Sequence, residues 1–138
     1  MAKKKEAELV FEGKEKFYRG LGIDELKKLD VRESAKFMPS RSRRTIMRNF
    51  DVIERFVSRC EKKISRGKRI RTHLRDIIIV PSLVGFTIGI HNGKSFQDVP
   101  ITIEMLGHRL GEFAATRTKV THSSAGIGAT KGSRAKKK

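Results

Sequence analysis

The stretch from Ile77 to Ile101 constrains the chain most, because it switches hydrophobic period within a few residues. Ile77 to Val80 is a β-branched run of strand length, and Pro81-Ser82 breaks it. Val84, Phe86, Ile88 and Ile90 then alternate with Gly85, Thr87 and Gly89. That period of two buries one face of a sheet, and the small residues leave room for close approach on the other. His91-Asn92-Gly93-Lys94 contains the Asn-Gly pair favoured in a two-residue hairpin turn, where both positions take positive φ. A third strand is expected to return through Phe96 to Ile101. Thr102 then caps a short helix from Ile103 to about Leu110, ended by Gly111.

Upstream the period is helical. Ile46, Phe50, Ile53, Val57, Cys60 and Ile64 recur at spacings of four and three, one face of an amphipathic helix over about residues 42 to 65. Ser40 and Ser42 are candidate N-caps and Gly67 is the candidate stop. Glu25, Leu26 and Leu29 predict a short helix docked on the core or on a neighbour. These elements predict an α+β fold: a small antiparallel three-stranded sheet with helices packed on it, between basic flexible termini. Three stretches follow: an amino-terminal extension over 1–35, one α+β domain over 36–120, and a basic tail over 121–138.

The chain's 138 residues suit one domain, and its formal net charge of +17 marks a polyanion binder. The excess is concentrated: residues 36–72 hold 13 basic side chains against 3 acidic ones. Arg41, Arg43, Arg44, Arg48, Arg55, Arg59, Lys62 and Lys63 fall largely off the apolar stripe, and Arg66-Gly67-Lys68-Arg69-Ile70-Arg71 continues the charge. A stripe of this kind is the footprint of binding along phosphates, so the expected partner is a nucleic acid. From His122 onward there are five basic residues, no acidic ones and little apolar surface to bury, which predicts an arm that orders against phosphates.

Other classes of function find less support. Glu6 and Glu8 follow the amino-terminal lysines where an export signal would be apolar, and Ile77 to Val80 is the longest apolar run, so a soluble intracellular protein is expected. The single Cys60 implies a reducing compartment. His73, His91, His108 and His122 lack ligand spacing, and no metal or other cofactor is expected. Asp98, Glu104 and Glu112 could pair for acid–base work but have no nucleophile beside them, and caps or ion pairs suit them better. The tail's Gly126-Ile127-Gly128-Ala129-Thr130-Lys131-Gly132 lacks the Walker spacing, and Gly107 with Gly111 points to close packing or contact with a sugar-phosphate backbone. With eight Phe, one Tyr and no Trp, base stacking is a weak signal, and Phe50 and Phe86 suit the core. Recognition by shape and phosphate contact is therefore expected.

His91-Asn92-Gly93-Lys94, then Ile101 to Phe113 with its Gly107-His108-Arg109-Leu110-Gly111-Glu112-Phe113 end, then Thr116-Arg117, together resemble one family's signature at matching spacing. That family is the universal nineteenth protein of the small ribosomal subunit. The resemblance reaches back through Thr72-His73-Leu74-Arg75-Asp76, covering about residues 72 to 122. Phe17-Tyr18-Arg19-Gly20 and Gly126 to Thr130 look like its archaeal and eukaryotic branch, and the compact length points to an archaeal source.

The resemblance implies a non-enzymatic protein bound to small-subunit rRNA in the head, beside the thirteenth small-subunit protein, with a tail approaching tRNA near the decoding region. No membrane and no homo-oligomer are implied. Carried onto this sequence, Asn92, Gly93, Lys94, Gly107, His108, Arg109, Thr116, Arg117 and Lys119 become the expected rRNA contacts. Charge alone adds Arg41, Arg43, Arg44, Lys62, Lys63, Lys68, Arg69, Arg71 and Arg75, with Lys131, Arg134, Lys136, Lys137 and Lys138 in the tail. A general nucleic-acid-compacting or DNA-binding protein is the rival that the charge alone would fit, and a nuclease or RNA modifier the third.

Overall fold

The computed structural model describes residues 17–117. Two short strands, β1 (Phe17–Tyr18) and β2 (Leu21–Gly22), pair around a turn in which Arg19 and Gly20 both have positive φ. Helices α1 (Ile23–Lys28) and α2 (Val31–Ser34) follow, then a 3-10 turn over Ala35–Phe37. Leu26, Val31, Ala35 and Met38 from this region join the hydrophobic core of the described residues, with Leu26 fully buried and Leu29 packed at its rim. The expected short helix around Glu25 to Leu29 is therefore α1, docked on the core.

The single helix expected over 42–65 is two helices, α3 (Ser40–Arg48) and α4 (Phe50–Ser65). Asn49, at φ −113° and ψ 29°, ends one and begins the other. Its N–H donates to the Thr45 carbonyl, while its own carbonyl accepts from Val52 and Ile53. A break on one residue keeps Ile46 and Ile53 in phase against one core, so spacing alone does not expose it. Ile64, expected on the buried stripe, is 43% exposed because the last turn of α4 runs past the core, and Phe56 is buried instead. Gly67 does stop the helix: at φ +63° it lets its own N–H reach the Ile64 carbonyl and the Lys68 N–H reach Lys63, the paired bonds of a Schellman end.

The α+β class stands, with a three-stranded sheet that is mixed rather than wholly antiparallel. Its first strand is β3 (Ile70–Thr72), hidden in the basic run, and it pairs parallel with β4 (Thr87–His91). β5 (Phe96–Pro100) pairs antiparallel with β4, and the hairpin comes where expected. Residues 92–95 separate the last strand pair, however, and only Gly93, not Asn92, has positive φ, so the expected Asn-Gly turn with two positive φ values is not formed. Ile77 to Val80 is not a sheet strand. It forms part of the long crossover that a parallel pair requires, buried at 4% exposure or less, and it bonds to a later segment. Ile79 donates to the His108 carbonyl, Gly107 to Ile79, Leu110 to Ile77 and Gly111 to Arg75.

The expected helix over Ile103 to Leu110 is also divided, into 3-10 turns at Ile103–Met105 and Leu110–Phe113. Gly107 between them has φ +82°, which no right-handed helix can continue, and Thr102 makes no side-chain cap bond. The room expected beside Gly89 is filled by protein. A methyl there would lie 2.8 Å from the Asp98 carboxylate and 3.3 Å from the Arg71 side chain.

Candidate nucleic-acid interface

Three local constructions position the expected contact residues. The first joins α3 to the segment around Gly107. Ser42, expected as a cap, donates its hydroxyl to the Gly107 carbonyl at 2.6 Å, while Pro39 occupies the cap position. A methyl on Gly107 would lie 3.0 Å from Pro39 Cδ, so this glycine serves close packing. Arg41, Arg43 and Arg44 on α3 are exposed, as are the neighbouring His108 and Arg109. His108 Nδ1 lies 2.7 Å from Glu112 Oε2, and the Arg109 N–H donates to Glu112 Oε1 at 3.0 Å. That backbone bond first, and the His108 bond second, hold the Glu112 carboxyl below its ordinary pKa.

The second construction is built on Arg75. Its guanidinium donates to the carbonyls of His91 at 2.5 Å, Gly111 at 2.8 Å and Ala114 at 2.6 Å. The charge that marked Arg75 as an RNA contact is thus turned inward, clasping the hairpin to the turn before Thr116 and Arg117. In the hairpin, Asn92 Oδ1 accepts from the N–H groups of Lys94 and Ser95, and Gly93, at φ +101°, donates to His91 Nδ1 at 3.1 Å. Asn92 and Gly93 shape the turn, while Lys94 is exposed, as are Thr116 and Arg117.

The third follows from Gly67, which turns the chain back so that β3 meets α4. Between them lies a groove of about 300 Å³ with Arg59, Lys63 and Arg71 on its walls and Phe56 and Leu74 among its apolar lining. Lys62, Lys68 and Arg69 are exposed on the same stretch. Cys60 also lines the groove, but burial pushes its thiol up to about 11, so at neutral pH it is a protonated core side chain.

One grouping went unread in the sequence. His73 and His91 lie with ring centroids 4.5 Å apart, and Phe96 stands edge-on to both, at 5.1 and 4.9 Å. Arg71 covers the Phe96 ring at 5.4 Å. The aromatic count left histidine out, although the period of two that places Gly89 on the outer face of β4 places His91 there as well. Lys119 and the tail residues Lys131, Arg134, Lys136, Lys137 and Lys138 lie outside the described residues, as does the flexibility expected of both termini. Among the described residues no helix is long and apolar enough to cross a membrane, and no group of three potential metal ligands occurs.

Among the described residues, fold and surface together define a small cationic scaffold that turns Arg75 inward as a clasp and holds most of its other basic side chains outward. The chain belongs to the ribosomal protein S19 family, which matches residues 43–122. Its relatives include archaeal proteins named small ribosomal subunit protein uS19. That of Methanocella arvoryzae is 52% identical over 122 residues, covering 88% of this chain and 86% of its own. That of Halorubrum lacusprofundi is 47% identical, covering 89% and 90%, and that of Methanospirillum hungatei 45%, covering 97% and 96%. The family is structural and not enzymatic. Its match begins well upstream of the motif at 72 to 122 that carried the resemblance.

Proposed function

We propose that the chain is a structural constituent of the small subunit of the cytoplasmic ribosome and that it binds small-subunit rRNA in the head. The observation that carries the RNA contact is the Ser42–Gly107 bond, which fixes the arginines of α3 beside His108 and Arg109. Cations held on ordered backbone lose little further entropy when they meet phosphates. The exposed Lys94, Lys68, Arg69 and Arg71 extend the same chemistry to the hairpin and to the α4–β3 corner. Within this reading the thirteenth small-subunit protein is the neighbour, and the basic tail, with Lys131, Arg134 and the terminal lysines, approaches tRNA near the decoding region.

The test is a salt series of binding to the isolated head domain of small-subunit rRNA and to a length-matched unrelated RNA. The head domain is expected to be preferred at every salt concentration. Reversing Arg43, Arg44, Lys68 and Arg69 to Glu should abolish that binding with an unchanged circular dichroism spectrum. Single neutralisations should lower the slope of log affinity against log salt by roughly 0.7 to 0.9 per phosphate contact. Unaltered binding by the fourfold variant, or a preference for duplex DNA, overturns the reading. Deleting residues 124–138 should permit assembly and weaken tRNA handling.

A further inference from the structure

We infer that the outer face of the three-stranded sheet is a stacking site for one unpaired nucleobase of RNA, built by His73, His91 and Phe96 with Arg71 beside them. The inference rests on the RNA-binding reading above and names a contact distinct from its phosphate contacts.

Strand register places the residues. Arg71 pairs with Gly89 and Gly89 with Asp98, so these three share one face of the sheet. Two residues further on, and therefore on the same face, come His73 beyond β3, His91 at the end of β4, and Phe96, the direct partner of His91. The opposite face carries Ile70, Ile88, Ile90 and Val99, all buried in the core. One face of the sheet is thus sealed by the core, while the other presents a row of three rings to solvent, with His73 exposed and the other two half-buried.

The rings do not exhaust one another. His73 is tilted 38° to His91, and Phe96 stands at 77° and 66° to the two, so no pair is stacked in parallel and flat π surface remains for a planar partner. The Gly93 N–H bond to His91 Nδ1 assigns the proton of that ring to Nε2, which leaves a donor for the edge of a base. Arg71, already over Phe96, adds a cation that can stack on a base or pair with a phosphate.

The phosphate side adjoins. Arg71 and His73 both also line the groove along the free edge of β3, whose other cations are Arg59 and Lys63. A groove of cations sharing two residues with an aromatic face has the chemistry of one nucleotide: phosphodiester at the strand edge, base on the rings. A peptide would offer one of these features but seldom both, whereas single-stranded RNA always offers both.

The experiment uses the full chain and a single-stranded RNA dodecamer carrying one 2-aminopurine, alongside the same oligomer with an abasic position in its place. Expected results are quenching of the 2-aminopurine, shifts of the His73 and His91 ring resonances, and roughly fivefold to hundredfold weaker binding of the abasic oligomer. His73→Ala, at an exposed position, should weaken the intact oligomer by a comparable factor and leave the salt slope unchanged. Phe96→Leu should do the same, while Arg71→Gln should lower the slope by about one phosphate contact. Equal binding of intact and abasic oligomers, or full affinity in His73→Ala, overturns the inference even if head-domain rRNA is bound specifically. If head-domain preference is absent but abasic discrimination and the His73→Ala loss both hold, the stacking site stands and only the ribosomal reading falls.

Discussion

Replacing Arg75 separates a structural cation from an RNA-binding one. Three backbone carbonyls, those of His91, Gly111 and Ala114, converge on its guanidinium at 2.5 to 2.8 Å. Hydrogen bonds from a charged donor contribute roughly 1.5 to 3 kcal/mol each, but this side chain is half-buried and water can replace part of what is lost. The side chain leaves the backbone close over Gly111, where a methyl would lie 3.2 Å from Arg75 Nε, so the guanidinium is held in place beside the carbonyls it binds. Arg75→Ala should therefore destabilise the fold by about 2 to 4 kcal/mol, a large part of an ordinary domain's stability. Arg75→Lys should recover less than half, because a single ammonium cannot span three carbonyls. Urea denaturation followed by circular dichroism measures this through the midpoint, with the slope of free energy against denaturant unchanged. The salt slope of RNA binding should stay as in the wild type. A stability within about 0.5 kcal/mol of wild type, or a slope reduced by one phosphate contact, would refute the clasp.

Gly107→Ala places a side chain at φ +82° and 3.0 Å from Pro39 Cδ. It should cost about 1 to 3 kcal/mol in thermal unfolding, and an unchanged midpoint would mean that α3 yields freely. Glu112 has a lowered pKa in the folded state, so its contribution is present at neutral pH and is lost as the pH falls below the usual 4.5 and through the folded value. At its half-exposed position that contribution is under about 1 kcal/mol. Stability curves of wild type and Glu112→Gln should converge in acid, and a pH-independent gap would contradict this. Cys60, buried with its thiol near 11, should react with a thiol reagent only after denaturation, and rapid reaction of the native protein would show that the groove opens.

The parts of this fold that the sequence makes legible are those with local causes. Asn92 and Gly93 mark the hairpin's place, though Asn92 acts through its side-chain oxygen and not through a positive φ, and the α4 stripe is local periodicity with Gly67 to end it. β3 was illegible because one buried isoleucine among arginines carries no strand pattern, and its partner Ile88 is far along the chain. Ile77 to Val80 has strand composition, yet the partner segment around Gly107 is too irregular to make a ladder. The same divide runs through the site. Exposed cations such as Arg43 and Lys94 follow from charge, whereas the inward turn of Arg75 and the meeting of His73 with His91 exist only once a parallel crossover has brought their strands together.

The α1 helix packs against the Pro81–Leu83 turn, and Leu26 has no exposed surface. During synthesis α1 must therefore wait, with Leu26 uncovered, until more than half of the chain has been made, and closing so long a loop makes this docking a late folding event. It also sets a limit on dissection. A chain trimmed to the family-matched residues 43–122 would lack Leu26, Val31, Ala35 and Met38, leaving an apolar hollow open to water. Such a fragment would tend to self-associate, whereas keeping residues 23–42 supplies the lid that keeps it monodisperse.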